Sequence, residues 1–257
     1  MLVADLGCGR LELGRLLLPG VLPGGRVDGF DADPDQIVAA RALIKSDGLR
    51  GLRVEEADAR DVPRPDASYD RVVCQALLVH QSRPEETLQE MVRLARPGGW
   101  VAAVEPDIGA QSVLQDGEQL IAGLPQRAAA VARGARAMGV GSWDLAPRLA
   151  SEFTSAGLQA VQVLREPGTL RLEPPYDEEL RQTVLAWEKP ESADAERSTV
   201  RWLAETGGMA SADLDRIEAE HTQRQDERRR ALRAGTWRGT VTRPLVVVRG
   251  QRGTGSL

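Results

Sequence analysis

Lysine is almost missing from this chain. Of its 257 residues 33 are basic, and all of these except Lys45 and Lys189 are arginine. That skew reads as a compositional bias of the coding sequence, not as a functional device. Histidine and cysteine occur only twice each. Cys8 and Cys74 lie far apart and without metal-ligand spacing, which excludes a disulfide framework and points to two reduced thiols in a cytoplasmic protein. An excess of positive charge is missing too. The formal net charge is −5, which argues against a nucleic-acid partner and a main task of neutralising phosphates. Long apolar runs are absent: the best candidate, Leu16-Leu17-Leu18-Pro19-Gly20-Val21-Leu22, is short and broken by Pro and Gly, so no membrane span is expected. No basic stretch precedes an apolar one at the N-terminus, so no signal peptide is expected either. What remains, 42% hydrophobic and 28% charged residues, describes an ordinary globular protein whose length suffices for a sizeable core.

The first 106 residues alternate strand and helix signals. Leu2 to Asp5 reads as a short strand running into Gly7-Cys8-Gly9, then a helix carrying Leu13, Leu16 and Leu17. Arg26 to Asp31 is a second strand. Asp33 is a good N-cap for the helix that follows, with Pro34 at its first position and Gln36 placed for a capping box. Leu52 to Ala57, Asp70 to Gln75 and Trp100 to Glu105 read as further strands, and a helix opens at Pro84 with Glu85 and Glu86 in its first turn. Short apolar strands separated by helices imply a parallel sheet covered on both faces. Beyond Asp107, residues 110 to 138 read as helical, and Leu145 to Ala156 as a helix before a strand at Leu158 to Leu164. Three helical patterns follow near 177–189, 195–206 and 211–234. Val241 to Arg249 reads as one closing strand, and Gly250 to Leu257 as a frayed tail.

Asp5-Leu6-Gly7-Cys8-Gly9 stands between a strand and a helix, at the carboxyl edge where open α/β sheets bind ligands. Asp31, Asp58, Gln75 and Glu105 end successive strands at that same edge. A carboxylate at the end of the second strand can accept both hydroxyls of a ribose. A nicotinamide fingerprint wants a third glycine where Glu12 stands, and a negative side chain there would repel a pyrophosphate. An adenosyl compound without phosphate suits an acidic loop better, which leaves a nicotinamide oxidoreductase as the remote reading.

Residues Val3 to Asp107 resemble the class I S-adenosylmethionine-dependent methyltransferases of the small-molecule type. The resemblance is carried by Val3-Ala4-Asp5-Leu6-Gly7-Cys8-Gly9, Gly29-Phe30-Asp31-Ala32-Asp33-Pro34, Ala57-Asp58-Ala59, Tyr69-Asp70-Arg71-Val72-Val73 and Leu94-Ala95-Arg96-Pro97-Gly98-Gly99. It implies a Rossmann-like α/β fold with a seven-stranded, mostly parallel sheet, helices on both faces and a helical cap. The expected division is 1–166 plus 240–257 for the core and 167–239 for a helical lid, with 108–142 also helping to form the cap. It implies S-adenosyl-L-methionine as cofactor and a small-molecule acceptor, such as a specialised metabolite. Asp5, Gly7 and Gly9 would line the methionine part, Asp31 would hold the ribose, Asp58 and Ala59 would meet the adenine, Gln75 would stand near the sulfonium, and Ala32 would also belong to the cofactor site. Two departures favour an alternative, a methyltransferase-like protein that binds the cofactor without transferring methyl. Leu11 stands where the family has a third glycine, and the sequence starts directly at the first strand, without the upstream helices that cover the site in relatives, so the expectation is either a truncated chain or another segment over the site.

Methyl transfer needs a general base only where the acceptor must lose a proton. The candidates are His80, just after the fourth strand; Glu105, which also suits a structural hydrogen-bonding role; and His221, on the helical face shared with Leu214 and Ile217. For both histidines an ordinary structural role is the competing reading. Asp28 inside the second strand requires a buried partner that the sequence does not identify. Trp187, Trp202 and Trp237 lie in or beside the expected lid, where core packing is the default for tryptophan. The arginines of 224–233 share their helix with acids and read as a solvated face. Glu173-Pro174-Pro175-Tyr176 reads as a turn.

Overall fold

The computed structural model describes residues 1–187 and 193–255. In chain order the elements are β1 (Leu2–Leu6), α1 (Glu12–Val21), β2 (Arg26–Asp31), α2 (Pro34–Ser46), β3 (Leu52–Glu56), β4 (Tyr69–Gln75), α3 (Pro84–Leu94) and β5 (Ala95–Pro106). Then come β6 (Ser112–Gln115), α4 (Leu124–Ala137), α5 (Leu149–Ser155), β7 (Gln159–Glu166), β8 (Thr169–Leu172) and α6 (Glu178–Trp187). The rest is α7 (Ala193–Thr206), α8 (Ser211–Ala234), β9 (Gly239–Thr242) and β10 (Leu245–Gln251). No helix among the described residues is long and apolar enough to cross a membrane.

The chain divides into two compact units. The first holds residues 1–106, 145–166 and 245–257. Its seven-stranded sheet has the order β3-β2-β1-β4-β5-β10-β7. The first five strands are parallel, and β10 runs antiparallel between β5 and β7. After β3 the chain returns to the other side of β1, so the carboxyl ends of β1 and β4 form the point where strand order reverses. A cluster of Val3, Leu11, Leu18, Val27, Ile37 and Leu52, among others, joins α1 and α2 to the sheet.

Local chemistry explains most elements. The Asp33 side chain accepts from the Asp35 backbone at the start of α2, with Pro34 at the first position. Gln36 has no part in that cap. On α1, Gly14, Leu18 and Val21 are buried and Leu17 packs half-buried against the same cluster, while Leu16, expected on the apolar side with Leu13 and Leu17, is exposed. Buried Asp28 has the partners the sequence left unnamed. Arg26 Nε donates to both its oxygens at 2.9 and 3.0 Å, and the Tyr69 hydroxyl donates at 3.0 Å. The closing residues are anchored where a frayed tail was expected. β10 continues through Gln251, and Arg252 Nη1 donates to the carbonyls of Val92, Arg93 and Ala95 at 3.1, 2.9 and 2.6 Å.

The second unit holds residues 107–144 and 167–244. It is more than helices: β6, β9 and β8 form a three-stranded antiparallel sheet. This sheet corrects the division into 1–166 plus 240–257 and 167–239, because pairing of β6 with β9 draws 107–144 and 240–244 into the same unit. It also corrects the reading of 110–138 as one helix and of 241–249 as one strand; Pro244 separates β9 from β10, a position where a ladder donor is lacking. Helices α4 and α7 approach closely at Gly134, where an added Cβ would lie 1.9 Å from the Leu203 carbonyl oxygen. Trp237 is buried with Leu172, Val184 and Val241, and Trp202 is exposed. The Trp187 side chain lies outside the described residues.

Candidate functional site

The turn after β1 is shaped by its glycines. Gly7 has φ +64°, and an added Cβ would lie 2.7 Å from Leu77 Cδ1. Gly9 has φ +48°, and a Cβ there would meet nothing within 4 Å. This leaves backbone facing open space, where a ligand can approach closely. Leu11, in the place of the third glycine, takes the left-handed conformation itself, with φ 66°. Its side chain turns away from the turn into the core and is fully buried. The helix α1 begins there with no cap from the side chain of Leu11.

The β2 end is tied to this turn. Cys8 N donates to the Phe30 carbonyl at 3.0 Å, and Gly9 N donates to Asp31 Oδ2 at 2.8 Å. Asp31 Oδ1 accepts from Asp33 N at 3.0 Å. Ala57 N donates to the Asp31 carbonyl at 3.0 Å, which brings the end of β3 to the same rim. Asp58 follows, exposed, its carboxylate gripped by Arg60 through the backbone N, Nε and Nη2 at 2.9, 3.0 and 2.7 Å. That grip holds Asp58 below the usual carboxylate range.

A cleft lies at the strand-order reversal, with Asp5, Gly7, Gly9, Glu12, Gln75 and Ala76 in its wall. Asp5 Oδ2 is buried without a hydrogen-bond partner among the described residues. Burial pushes the Asp5 carboxyl up to about 7; the Gly14 backbone N–H pulls it down, and the Asp31 charge pushes it up. A buried carboxylate and open glycine backbone in one cleft wall fit a ligand that brings a donor or a positive charge and needs close approach, as the amino and sulfonium groups of S-adenosylmethionine do.

The structure thus brings Asp5, Gly7, Gly9 and Gln75 into one wall, with Asp31 bonded to that wall through Gly9. Ala32 is exposed beside Asp31, and Asp58 and buried Ala59 follow on the same rim. The three base candidates have different surroundings. His80 is exposed at the end of a single helical turn, Leu78–His80. Glu105 is fully buried beneath that turn. Its Oε1 accepts from Leu77 N and Leu78 N at 3.2 and 2.9 Å, and its Oε2 from Val79 N at 3.2 Å. Burial pushes Glu105 up to about 7, against the pull of these three N–H groups. With no exposed surface, it shapes the turn that carries His80, which corrects its reading as a base that meets an acceptor. His221 lies on α8 in the second unit. Arg10, Glu12, Leu13 and Ala76, with Cys8 between the glycines, also line the cleft and were missed. The first three could have been read from their place beside the glycines; Ala76, at φ 48°, carries no sequence signal.

Comparison with known proteins concerns mainly the first unit. Residues 3–99 match the family described as a methyltransferase domain. The methyltransferase GfsG of Streptomyces halstedii is 31% identical over 115 residues, covering 44% of this chain and 40% of that protein. A ubiquinone biosynthesis O-methyltransferase of Azoarcus sp. is 34% identical over 101 residues, covering 38% and 41%. The chain spans less than half the length of these curated relatives. The solved structure of the YcgJ protein from Bacillus subtilis has the same fold, with a TM-score of 0.58 at 16% identity, covering 99% of this chain and 92% of that one.

Proposed function

Because residues 3–99 belong to the class I S-adenosylmethionine-dependent methyltransferase family, we propose that this chain binds S-adenosyl-L-methionine at the β1–β4 cleft and transfers its methyl group to a small-molecule acceptor. The observation that carries the reading is one cleft lined by both buried Asp5, whose Oδ2 has no hydrogen-bond partner among the described residues, and the open backbone of Gly9. Asp5, Gly7 and Gly9 hold the methionine part, Asp31 and Ala32 the ribose, Asp58 and Ala59 the adenine, and Gln75 stands toward the sulfonium. The cofactor, when bound, supplies an already activated methyl group on a sulfonium. The protein therefore has to bind, align and exclude water rather than activate the donor.

Asp31 serves the fold and the ligand together: by accepting from Gly9 and Asp33 it fixes the turn that the ligand would touch. Glu105 fixes the turn after β4 in the same manner. His80, at the exposed end of that turn, is the base for an acceptor that must lose a proton. Small-molecule acceptors are supported by the named activity of the ubiquinone-pathway relative. Leu11 was the observation behind a cofactor-binding protein without transfer. Its left-handed backbone and inward side chain keep the turn that a glycine would give, which supports transfer. Calorimetry with S-adenosylmethionine tests binding, and absence of heat and thermal shift would count against the whole reading. Mass spectrometry of acceptors tests transfer: a gain of one methyl supports it, and binding without turnover on any acceptor favours the alternative.

A further inference from the structure

The second unit contains a cavity of its own, between β6, the start of α4 and the middle of α8. Its volume is about 190 Å³, somewhat larger than a cavity of about 150 Å³ that admits benzene. Leu114, Ile121 and Leu124 supply apolar wall, and Arg127, His221, Arg224, Arg228 and Arg243 supply the polar part. Four guanidinium groups and no carboxylate thus line it among the described residues.

The nearby acids are engaged elsewhere. Glu218 accepts from Arg201 at 2.9 Å, and Glu220 pairs with Arg224. Arg224 also donates to the Gln119 carbonyl at 2.6 Å, and Arg228 to the Val113 carbonyl at 3.4 Å. Arg127 is half-buried, and its side chain has no hydrogen bond or ion pair among the described residues; burial draws its pKa down, against the charge of Glu218. The half-buried His221 imidazole likewise has no hydrogen-bond partner there. Burial, then the charges of Arg127, Arg228, Arg197 and Arg224, hold His221 down to about 4, so it is neutral at pH 7. A partly desolvated guanidinium and an imidazole, neither with a hydrogen-bond partner among the described residues and both lining a cavity with apolar and cationic walls, call for an acceptor that carries negative charge.

We propose that this cavity binds a small molecule with an apolar body and one anionic group, the anion taken by Arg127 and His221. The site stands on residues of the second unit alone and does not rest on methyl transfer. A chain that failed to bind S-adenosylmethionine would still be expected to fill it, so the two readings fail separately.

The test uses the full chain at pH 7 with 3-phenylpropionate and its neutral amide, 3-phenylpropionamide. With only two histidines in the sequence, the His221 imidazole is assigned in a nitrogen–proton NMR spectrum by its loss in His221→Gln. The carboxylate should shift that signal saturably, and the amide should bind about tenfold more weakly, the equivalent of ~1.4 kcal/mol. Arg127→Gln, confirmed folded by an unchanged melting temperature, should lower carboxylate affinity about tenfold, with amide affinity unaltered. No saturable shift at millimolar carboxylate, or equal affinity for the two probes in the unaltered protein, would overturn the proposal. That comparison decides the matter even where Arg127→Gln does not fold.

Discussion

Asp5→Asn should stabilise the ligand-free protein at neutral pH and above, and the gain should vanish in acid. In the folded chain this carboxyl sits at about 7, against 3.8 for an ordinary aspartate, chiefly because it is buried. Between those values the folded state keeps a proton that the unfolded chain has released. Stability therefore falls as pH rises from about 4 to about 7, and the loss is complete above that. The displacement corresponds to about 4 kcal/mol at pH 8.5 and about 1.5 kcal/mol at pH 5. Asparagine carries no charge at either pH and retains an oxygen for the Gly14 N–H. The advantage of the variant over the parent, from urea denaturation, should thus grow by about 2–3 kcal/mol between pH 5 and 8.5. The difference is the quantity to read, because Glu105, also pushed to about 7, tilts both proteins in the same direction. A difference that stays constant with pH, or a variant less stable than the parent at pH 8.5, would refute the reasoning. The same substitution should weaken S-adenosylmethionine binding, so that stability and affinity move in opposite directions.

Leu11→Ala should destabilise by about 3 kcal/mol, the cost of emptying a fully buried leucine site. Leu11→Gly should be more stable than Leu11→Ala by about 1 kcal/mol, because φ 66° suits glycine; thermal melts of the two variants check this order. Asp31→Ala should lower S-adenosylmethionine affinity on the order of 10- to 100-fold in calorimetry, since it removes a charged acceptor and frees the Gly9 N–H. Arg252→Ala should cost about 2 kcal/mol in urea denaturation, by stripping a charged donor from three carbonyls at the end of α3 and the start of β5.

The first unit was legible because its signals are local. Asp33-Pro34 caps a helix wherever it stands, and a buried parallel strand such as Val72-Val73-Cys74 needs no distant partner to be recognised. The glycine turn and the acids at strand ends followed from the same alternation. The second unit's sheet was not legible. Its strands have four residues each, and β6 finds β9 more than a hundred residues away, so no local pattern announces the pairing. Asp28 shows the same limit: its need for partners could be read, but Tyr69 becomes a neighbour only through the sheet. Glu105 could be placed at a strand end, yet whether it faces a ligand or the backbone of the next turn is decided by packing. Leu11 read as a departure from a glycine pattern, and only its backbone angle reveals that the turn tolerates it.

The position of β10 bears on how the chain assembles during synthesis. β7 pairs in its sheet with β10 alone, and β10 also completes the free side of β5. A nascent chain that has emerged only as far as residue 240 therefore carries five parallel strands with a bare rim at β5 and an orphan strand with nothing to join. Such a rim is open to association with other chains. The cleft-bearing half of the sheet can form early on the ribosome, while its opposite flank waits for residues 245–251 to emerge.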